Sequence, residues 1–401
     1  MNLFTTWKQL FVYSQHTVGI VSIKEAIILN RTKAAIIACV PALLLTITAC
    51  SGDNEGNREV IREPGKTITV IDNDSKTPAA DSAITMGGIK RYEKMEIFGW
   101  LDGDTVIVSQ ENESLGKMKL EELASSYPRS LYRMNLKTGE RVPLKEQENV
   151  FLGGASLSPD SKHLIYQEYT LGDPVYYVMN LDTLQSFALT GEPIGGAMSA
   201  RWTDDSSIIG ASYGGGAYTA TTTGEIAKLE GLSEGALIIV AKLGSSVYYN
   251  SNADEALKVL NLDTKETKDM GLGSVGGVIP SPDGKQLLVK QYEGSKVKLT
   301  LCDLDGGNAK TIAEGSELGG VSWSADQRLI AYSMQAEISG AAVKGLYVHD
   351  LLSGQAVRIA ADVDNAVGSS WSPSGDKLSY VVWNGSSYES SVVEIHTSLQ
   401  P

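Results

Sequence analysis

The chain has 401 residues, 42% of them hydrophobic and 20% charged, with 41 Gly and 17 Tyr but only 5 Phe. Its net charge of −14 excludes a general nucleic-acid role, which needs a positive field, and argues against direct adhesion to an anionic surface. Three Cys are too few for a disulfide framework, and the glycine content suits an all-β chain with many turns.

Residues 1–30 carry no turn or repeat signal. Arg31 and Lys33 then precede an apolar run over 34–48 and the sequence Ile47-Thr48-Ala49-Cys50. Basic, apolar and small segments in that order make a secretory signal. The run is shorter than the ~20 residues a spanning helix needs. A Cys directly after the small residues resembles a bacterial lipoprotein signal. The resemblance implies that Cys50 is lipidated, becomes the mature N-terminus and holds the protein on the extracytoplasmic side of the cell membrane. Signals of this type begin near their basic residues, so 1–28 is expected to lie upstream of the true start, with Leu29 as an alternative start position. Loss of 1–49 removes Lys8, Lys24, Arg31 and Lys33 against Glu25, which takes the net charge from −14 to −17. Cys302 is then the one cysteine left without a lipid. Its place in an alternating strand makes it a small core residue.

Residues 50–66 are polar and read as a flexible tether. A single domain is expected over 67–396. It opens with a strand at 67–71 and a loose stretch at 72–88. The first repeat unit begins near Glu93, turns at Trp100-Leu101-Asp102-Gly103-Asp104 and continues through a strand at 105–109. An insertion at 110–129 delays its third strand, and within it 117–126 (KMKLEELASS) predicts a short helix.

The most regular unit spans 276–313. Ser281-Pro282-Asp283-Gly284-Lys285 turns the chain, because Pro fixes φ, Asp bonds its own backbone and Gly tolerates φ > 0. A strand-forming run at 286–292 and alternation through Val297, Leu299 and Leu301 follow, then Asp303-Leu304-Asp305-Gly306 and a last short strand. Four strands this close leave no room for helices, so the unit is an antiparallel meander. Glycine pairs or degenerate pairs at 153, 195, 235, 276, 319 and 368 mark successive units about 42 residues apart, the signature of a β-propeller. Related turns recur as Ser158-Pro159-Asp160, Ser324-Ala325-Asp326 and Ser372-Pro373-Ser374-Gly375-Asp376, and a Trp precedes the turn at 202, 323 and 371. The last unit lacks a fourth strand, and the exposed edge this leaves assigns 67–71 as its donor. Seven four-stranded blades are expected, with six or eight as alternatives.

These turns, the Tyr-rich second strand and the Asp-Leu-x-x-Gly turn resemble the TolB-like propeller repeats over roughly 90–396. The resemblance implies the fold and leaves function open, since such repeats serve many tasks.

Function is expected on the rim that carries the variable loops, namely 110–129, 169–174, 213–217, 250–255 and 334–344. Lys117, Glu121, Tyr169, Tyr213, Tyr218, Tyr292 and Trp383 are the candidate partner-contacting residues there. Gly210-Ala211-Ser212-Tyr213-Gly214 matches the nucleophile elbow, but a glycine run and a strand follow where a helix is required. His163 and His349 have no neighbour at metal-ligand spacing, and no cofactor motif is present. Innermost strands of the Gly-Gly-Ala-Ser type offer little acid–base equipment, with Glu96 and Glu234 as the charged exceptions. The reading is a monomeric binding or scaffold module for an envelope protein or peptide, without catalysis. The alternatives are a hydrolase or lactonase, or a small-molecule sensor, working through the central channel.

Overall fold

The repeated first turns hold because one buried serine serves both strands that leave the turn. Ser158, Ser281, Ser324 and Ser372 are buried. Their hydroxyls donate to Asp160 at 2.7 Å, Asp283 at 2.7 Å, Asp326 at 2.6 Å and Asp376 at 2.8 Å. The same oxygens accept the backbone N–H of His163, Gln286, Leu329 and Lys377 at 2.9–3.0 Å. A small side chain that both donates and accepts is needed there. The later turns use Asn135, Asn180 and Asn261, whose side-chain carbonyls accept backbone N–H groups two and three residues on, the Asx-turn device.

The structure is a computed structural model. It describes residues 84–397 except 339, 362, 364 and 365, together with the backbone of the strands Arg58–Glu63 and Lys66–Ile71. Between these turns lie seven units of four antiparallel strands, the first two joined into one sheet by a single parallel pair, Arg129↔Phe151, and the sixth extended by the hairpin 58–71. Blade 1 is Met95–Trp100, Thr105–Glu111, Arg129–Asn135 and Arg141–Lys145. Blade 2 is Phe151–Leu157, His163–Tyr169, Val175–Asn180 and Ser186–Ala188. Blade 3 is Arg201–Trp202, Ser207–Ala211, Ala217–Thr221 and Ile226–Lys228. Blade 4 is Leu237–Leu243, Ser246–Ser251, Asp254–Asn261 and Thr267–Asp269. Blade 5 is Val275–Pro280, Gln286–Glu293, Lys296–Asp303 and Lys310–Gly315. Blade 6 is Glu317–Trp323, Leu329–Ile338, Ala341–Asp350 and Gln355–Ala361. Blade 7 is Gly368–Trp371, Lys377–Trp383, Tyr388–Thr397 and, at its outer edge, Ile84–Tyr92.

Each pair of consecutive blades encloses one buried apolar cluster. Ile107 and Leu131 of blade 1 meet Leu164 and Tyr166 of blade 2. The same pattern runs on until Leu346 and Val348 of blade 6 meet Leu378 and Val393 of blade 7. The seventh cluster joins the ends, with Val392 of blade 7 against Ile97, Val106 and Val108 of blade 1. Seven interfaces for seven blades make a closed ring, in which a sheet that cannot cover its own faces is covered by its neighbours. Tryptophans stitch the innermost strands together: Trp202 Nε1 donates to Ser156 O at 2.9 Å, and Trp100 Nε1 to Ser370 O at 3.1 Å across the closure.

Closure by an N-terminal strand is found, but the strand is Ile84–Tyr92, which pairs antiparallel with Tyr388–Thr397. Gly87 and Gly88 interrupt its alternation at a register shift between Met86 and Ile89. A Cβ at Gly87 would lie 2.8 Å from Glu394 Oε2, so the glycine that hides the strand is what lets it fit. The expected donor at 67–71 instead lies within Lys66–Ile71, which pairs in parallel with Gln355–Ala361 of blade 6. Part of the stretch read as tether, Arg58–Glu63, is a strand antiparallel to it. The leader and Cys50 lie outside the described residues.

The helix expected at 117–126 is a single 3-10 turn, Glu121–Leu123. Met118 is buried and its N–H donates to Ser126 O at 3.0 Å, while Lys119 N–H donates to Asn149 Oδ1 at 2.9 Å. These bonds fold the segment back on itself. In blade 3, Gly195–Gly196 pairs with Thr190–Gly191 in a separate ribbon, which leaves Arg201–Trp202 as the innermost strand.

Candidate functional site at the channel mouth

Antiparallel strands put the first-to-second and third-to-fourth turns on one rim. The second-to-third loops and the links between blades lie on the other, variable rim. Six side chains at strand ends on the variable rim come together from blades 7, 1 and 2. Glu96, near the start of the innermost strand of blade 1, is 6% exposed. Arg129, the first residue of the third strand, is 7% exposed, with Nη2 3.7 Å from Glu96 Oε2. Its Nε donates to Ser109 Oγ at 2.9 Å and its Nη2 to Ser109 O at 2.8 Å. The guanidinium lies over the Tyr388 ring at 5.6 Å, and Tyr388 meets Trp383 edge-on at 4.9 Å. On the other side Tyr169 packs against Phe151 at 5.6 Å. Gly153 lies beneath it, and a Cβ there, 3.3 Å from the Tyr169 hydroxyl, would press the ring outward by a few tenths of an ångström.

Burial pushes the Glu96 carboxyl up to about 7, against the opposing pull of Arg129. Burial first, and the Glu96 charge second, push the Tyr169 phenol up to about 12. The Tyr388 phenol moves in the same direction for the same leading reason. Among the described residues, no hydrogen bond engages the Glu96 carboxyl or either phenol hydroxyl. A carboxyl that titrates near neutrality in such a setting is a functional-site signature.

The channel below the mouth is not lined by small residues alone. Arg201, from the innermost strand of blade 3, donates from Nη1 to Val278 O of blade 5 at 2.9 Å and so reaches past blade 4. Desolvation by the surrounding strands lowers its pKa, with Tyr176 opposing.

The sequence-derived candidates divide. Tyr213 and Trp383 are each 43% exposed on the variable rim. Lys117 and Glu121 are exposed in the blade 1 insertion, Lys117 over the Tyr127 ring at 6.0 Å. Tyr169 belongs to the mouth. Tyr292 lies across Gly276, where a Cβ would come within 2.2 Å of its ring, so it covers backbone as Tyr169 does. Tyr218 is fully buried and donates to Ser199 O at 2.9 Å. It faces the cluster between blades 2 and 3 and offers no surface to a partner, because its strand turns it inward. Glu234 is exposed on the link into blade 4.

Arg129, Tyr388, Phe151 and Arg201 are functional candidates that the sequence reading passed over. The one available signal was Arg129 at the end of the insertion. Ser212 of the Gly-x-Ser-x-Gly match is buried in the turn between the second and third strands of blade 3, its hydroxyl donating to Gly215 O at 2.9 Å. Among the described residues, no group of three or more His, Cys, Asp and Glu could hold a metal ion, and no helix is long and apolar enough to cross a membrane. Cys302 is buried between blades 4 and 5, and burial pushes its thiol up to about 11.

The fold and its mouth define a seven-bladed propeller with a buried charged and aromatic cluster at one end of the axis. An oligogalacturonate lyase from Vibrio parahaemolyticus is similar in structure, with a TM-score of 0.54 and 13% identity over 77% of this chain and 98% of that one. So is an oligogalacturonate lyase in complex with manganese, with a TM-score of 0.50 and 15% identity over 76% of this chain and 97% of that one. TolB from Acinetobacter baumannii matches at a TM-score of 0.45 and 15% identity, over 73% of this chain and 65% of that one. At such identities the likeness concerns the fold alone. No protein-family model matches the chain, and no curated protein matches it.

Proposed function

We propose that this chain is a lipid-anchored, extracytoplasmic propeller that binds an envelope protein or peptide on its variable rim and carries out no catalysis. The placement of exposed apolar side chains carries the reading. Leu120, Leu171, Val175, Tyr213 and Trp383 stand on the variable rim, whereas Leu184 and Leu352 are in third-to-fourth turns and Val142 is on an outer strand. Apolar surface gathered on one rim marks an interaction face, and aromatic side chains are the usual anchors. The anchor rests on the order of basic, apolar and small residues before Cys50.

A crosslinking pull-down from intact envelope tests the rim. The double variant Tyr213→Ala, Trp383→Ala loses its partner while Leu352→Ala on the opposite rim keeps it. An identical partner set for both variants overturns the proposal. Metabolic labelling with palmitate tests the anchor: Cys50→Ser is expected to lose the label and leave the membrane fraction.

Glu96 favours the channel-based alternative, because a carboxyl poised near neutral pH suits general acid–base work. Turnover of an ester or lactone panel that vanishes in Glu96→Gln would establish that reading in place of the first.

A further inference from the structure

We propose that the Glu96–Arg129–Tyr169–Tyr388 cluster is a receptor for a single carboxylate group, closed by a proton that Glu96 keeps when the ligand is bound. The site adjoins the rim contacts through Trp383, which packs on Tyr388, but its test reads acid binding rather than partner capture and so fails separately from them.

Arg129 is a buried cation with no carboxylate in hydrogen-bond contact among the described residues. Its Nε and Nη2 are tied to Ser109, which fixes the plane of the guanidinium. Glu96 stays at 3.7 Å, beyond hydrogen-bond distance. Nη1 has no acceptor among the described residues. A planar donor held in place with unused N–H groups suits a carboxylate, which can accept two of them in parallel. The phenols of Tyr169 and Tyr388, both near enough to Glu96 to feel its charge, add two hydroxyl donors to the mouth. A cationic ligand is disfavoured, since Arg129 already covers the Tyr388 face.

Two carboxyl groups this close cannot both be ionised without large repulsion. The ligand enters as the anion and Glu96 remains the acid, so its O–H can donate to the ligand oxygen. The groups that face Glu96 are Arg129 from the third strand of blade 1, Tyr169 from the second strand of blade 2 and Tyr388 from the third strand of blade 7. Burial raises both phenols above their ordinary range, so they stay neutral where Glu96 exchanges its proton. Above pH 7 the empty site loses that proton, and binding must take it back from solvent. Affinity is therefore expected to fall about tenfold per pH unit above 7.

The test is calorimetry on the intact chain at pH 6, 7 and 8, with propionate, an N-acetyl dipeptide bearing a free C-terminus, its C-terminal amide, and inorganic phosphate as probes. The free acids are expected to bind at least tenfold tighter than the amide and tighter than phosphate. At pH 8 about one proton is taken up per ligand, read from the dependence of the heat on buffer. Glu96→Gln is expected to bind as well at pH 8 as at pH 6 and to take up no proton. Arg129→Lys, which keeps the charge and loses the planar fork, is expected to weaken the acids more than tenfold while its melting shows the fold retained. Tighter binding of the dipeptide than of propionate assigns the site to peptide termini, and equal binding assigns it to small acids. Equal affinity for acid and amide overturns the proposal, as do tighter binding of phosphate, an unchanged pH profile in Glu96→Gln, or the absence of acid binding throughout.

Discussion

Glu96 and His349 are buried titratable groups whose shifts run in opposite directions, and they predict opposite pH effects. The Glu96 carboxyl rises from 4.5 to about 7 because burial disfavours its charge. The native state therefore holds a proton that the unfolded chain releases between pH 4.5 and 7, and stability falls as pH rises through that window. The loss is about 3 kcal/mol when complete. In urea melts, Glu96→Gln is expected to escape it, so the gap between variant and parent widens from pH 4.5 to 7 and then levels. His349 goes the other way. Burial first, and Lys310 second, lower it to about 4, and neither ring nitrogen has a partner. Its contribution is complete above pH 6.5 and is lost as pH falls towards 4, again by about 3 kcal/mol. His349→Leu removes both unpaired nitrogens and is expected to be more stable than the parent at pH 5, with the gap closing above pH 6.5. A gap that does not change with pH in either variant refutes the assignment. Almost none of this was legible beforehand. Glu96 stood out as a charge on an inner strand, but its environment comes from Tyr388, almost the full length of the domain away, and from Arg129 beyond an insertion. Strand ends carry no motif, and only the ring brings them together.

The blade is the element that the sequence announced most clearly, because its punctuation is local chemistry copied along the chain. A serine that donates to an aspartate two residues on and accepts from a backbone N–H five residues on needs nothing from distant segments. Ser324→Ala leaves the buried Leu329 N–H unpaired and is expected to cost about 1–3 kcal/mol. The measurement is the urea midpoint at constant slope, and Ser324→Thr, which retains the hydroxyl, should recover part of the loss. Segments without a repeated device were misread. The insertion in blade 1 has helix-forming composition, yet the burial of Met118 and the Met118–Ser126 backbone bond make it a closed loop. Ile84–Tyr92 was passed over because Gly87 and Gly88 break its alternation, while the cleanly alternating Lys66–Ile71 drew the assignment to itself.

At the scale of the molecule, stability rests on the join in blade 7. Ile84 is buried among Leu378, Val393 and Ile395, and Ser390 Oγ accepts from Ile97 N–H at 2.9 Å and donates to Met95 O at 2.9 Å, latching blade 7 to blade 1. Removal of 84–92 uncovers both the edge of Tyr388–Thr397 and this cluster, so a large drop in melting temperature or outright aggregation is expected. Removal of 58–71 takes away a hairpin joined to blade 6 through two residue pairs, Ile68↔Ala356 and Thr69↔Val357, and is expected to shift the melt far less. Equal shifts for the two deletions would show that the join does not dominate.

That join also sets the order of events during synthesis. Ile84–Tyr92 leaves the ribosome before any full blade exists, and its partner, Tyr388–Thr397, follows only after blades 1 to 6. While those six blades are made, the newborn chain carries a strand with nothing to pair with. The ring therefore waits on Tyr388–Thr397 to become fastened at all, and a message cut short ahead of that strand yields a chain with six sheets and no way to join them.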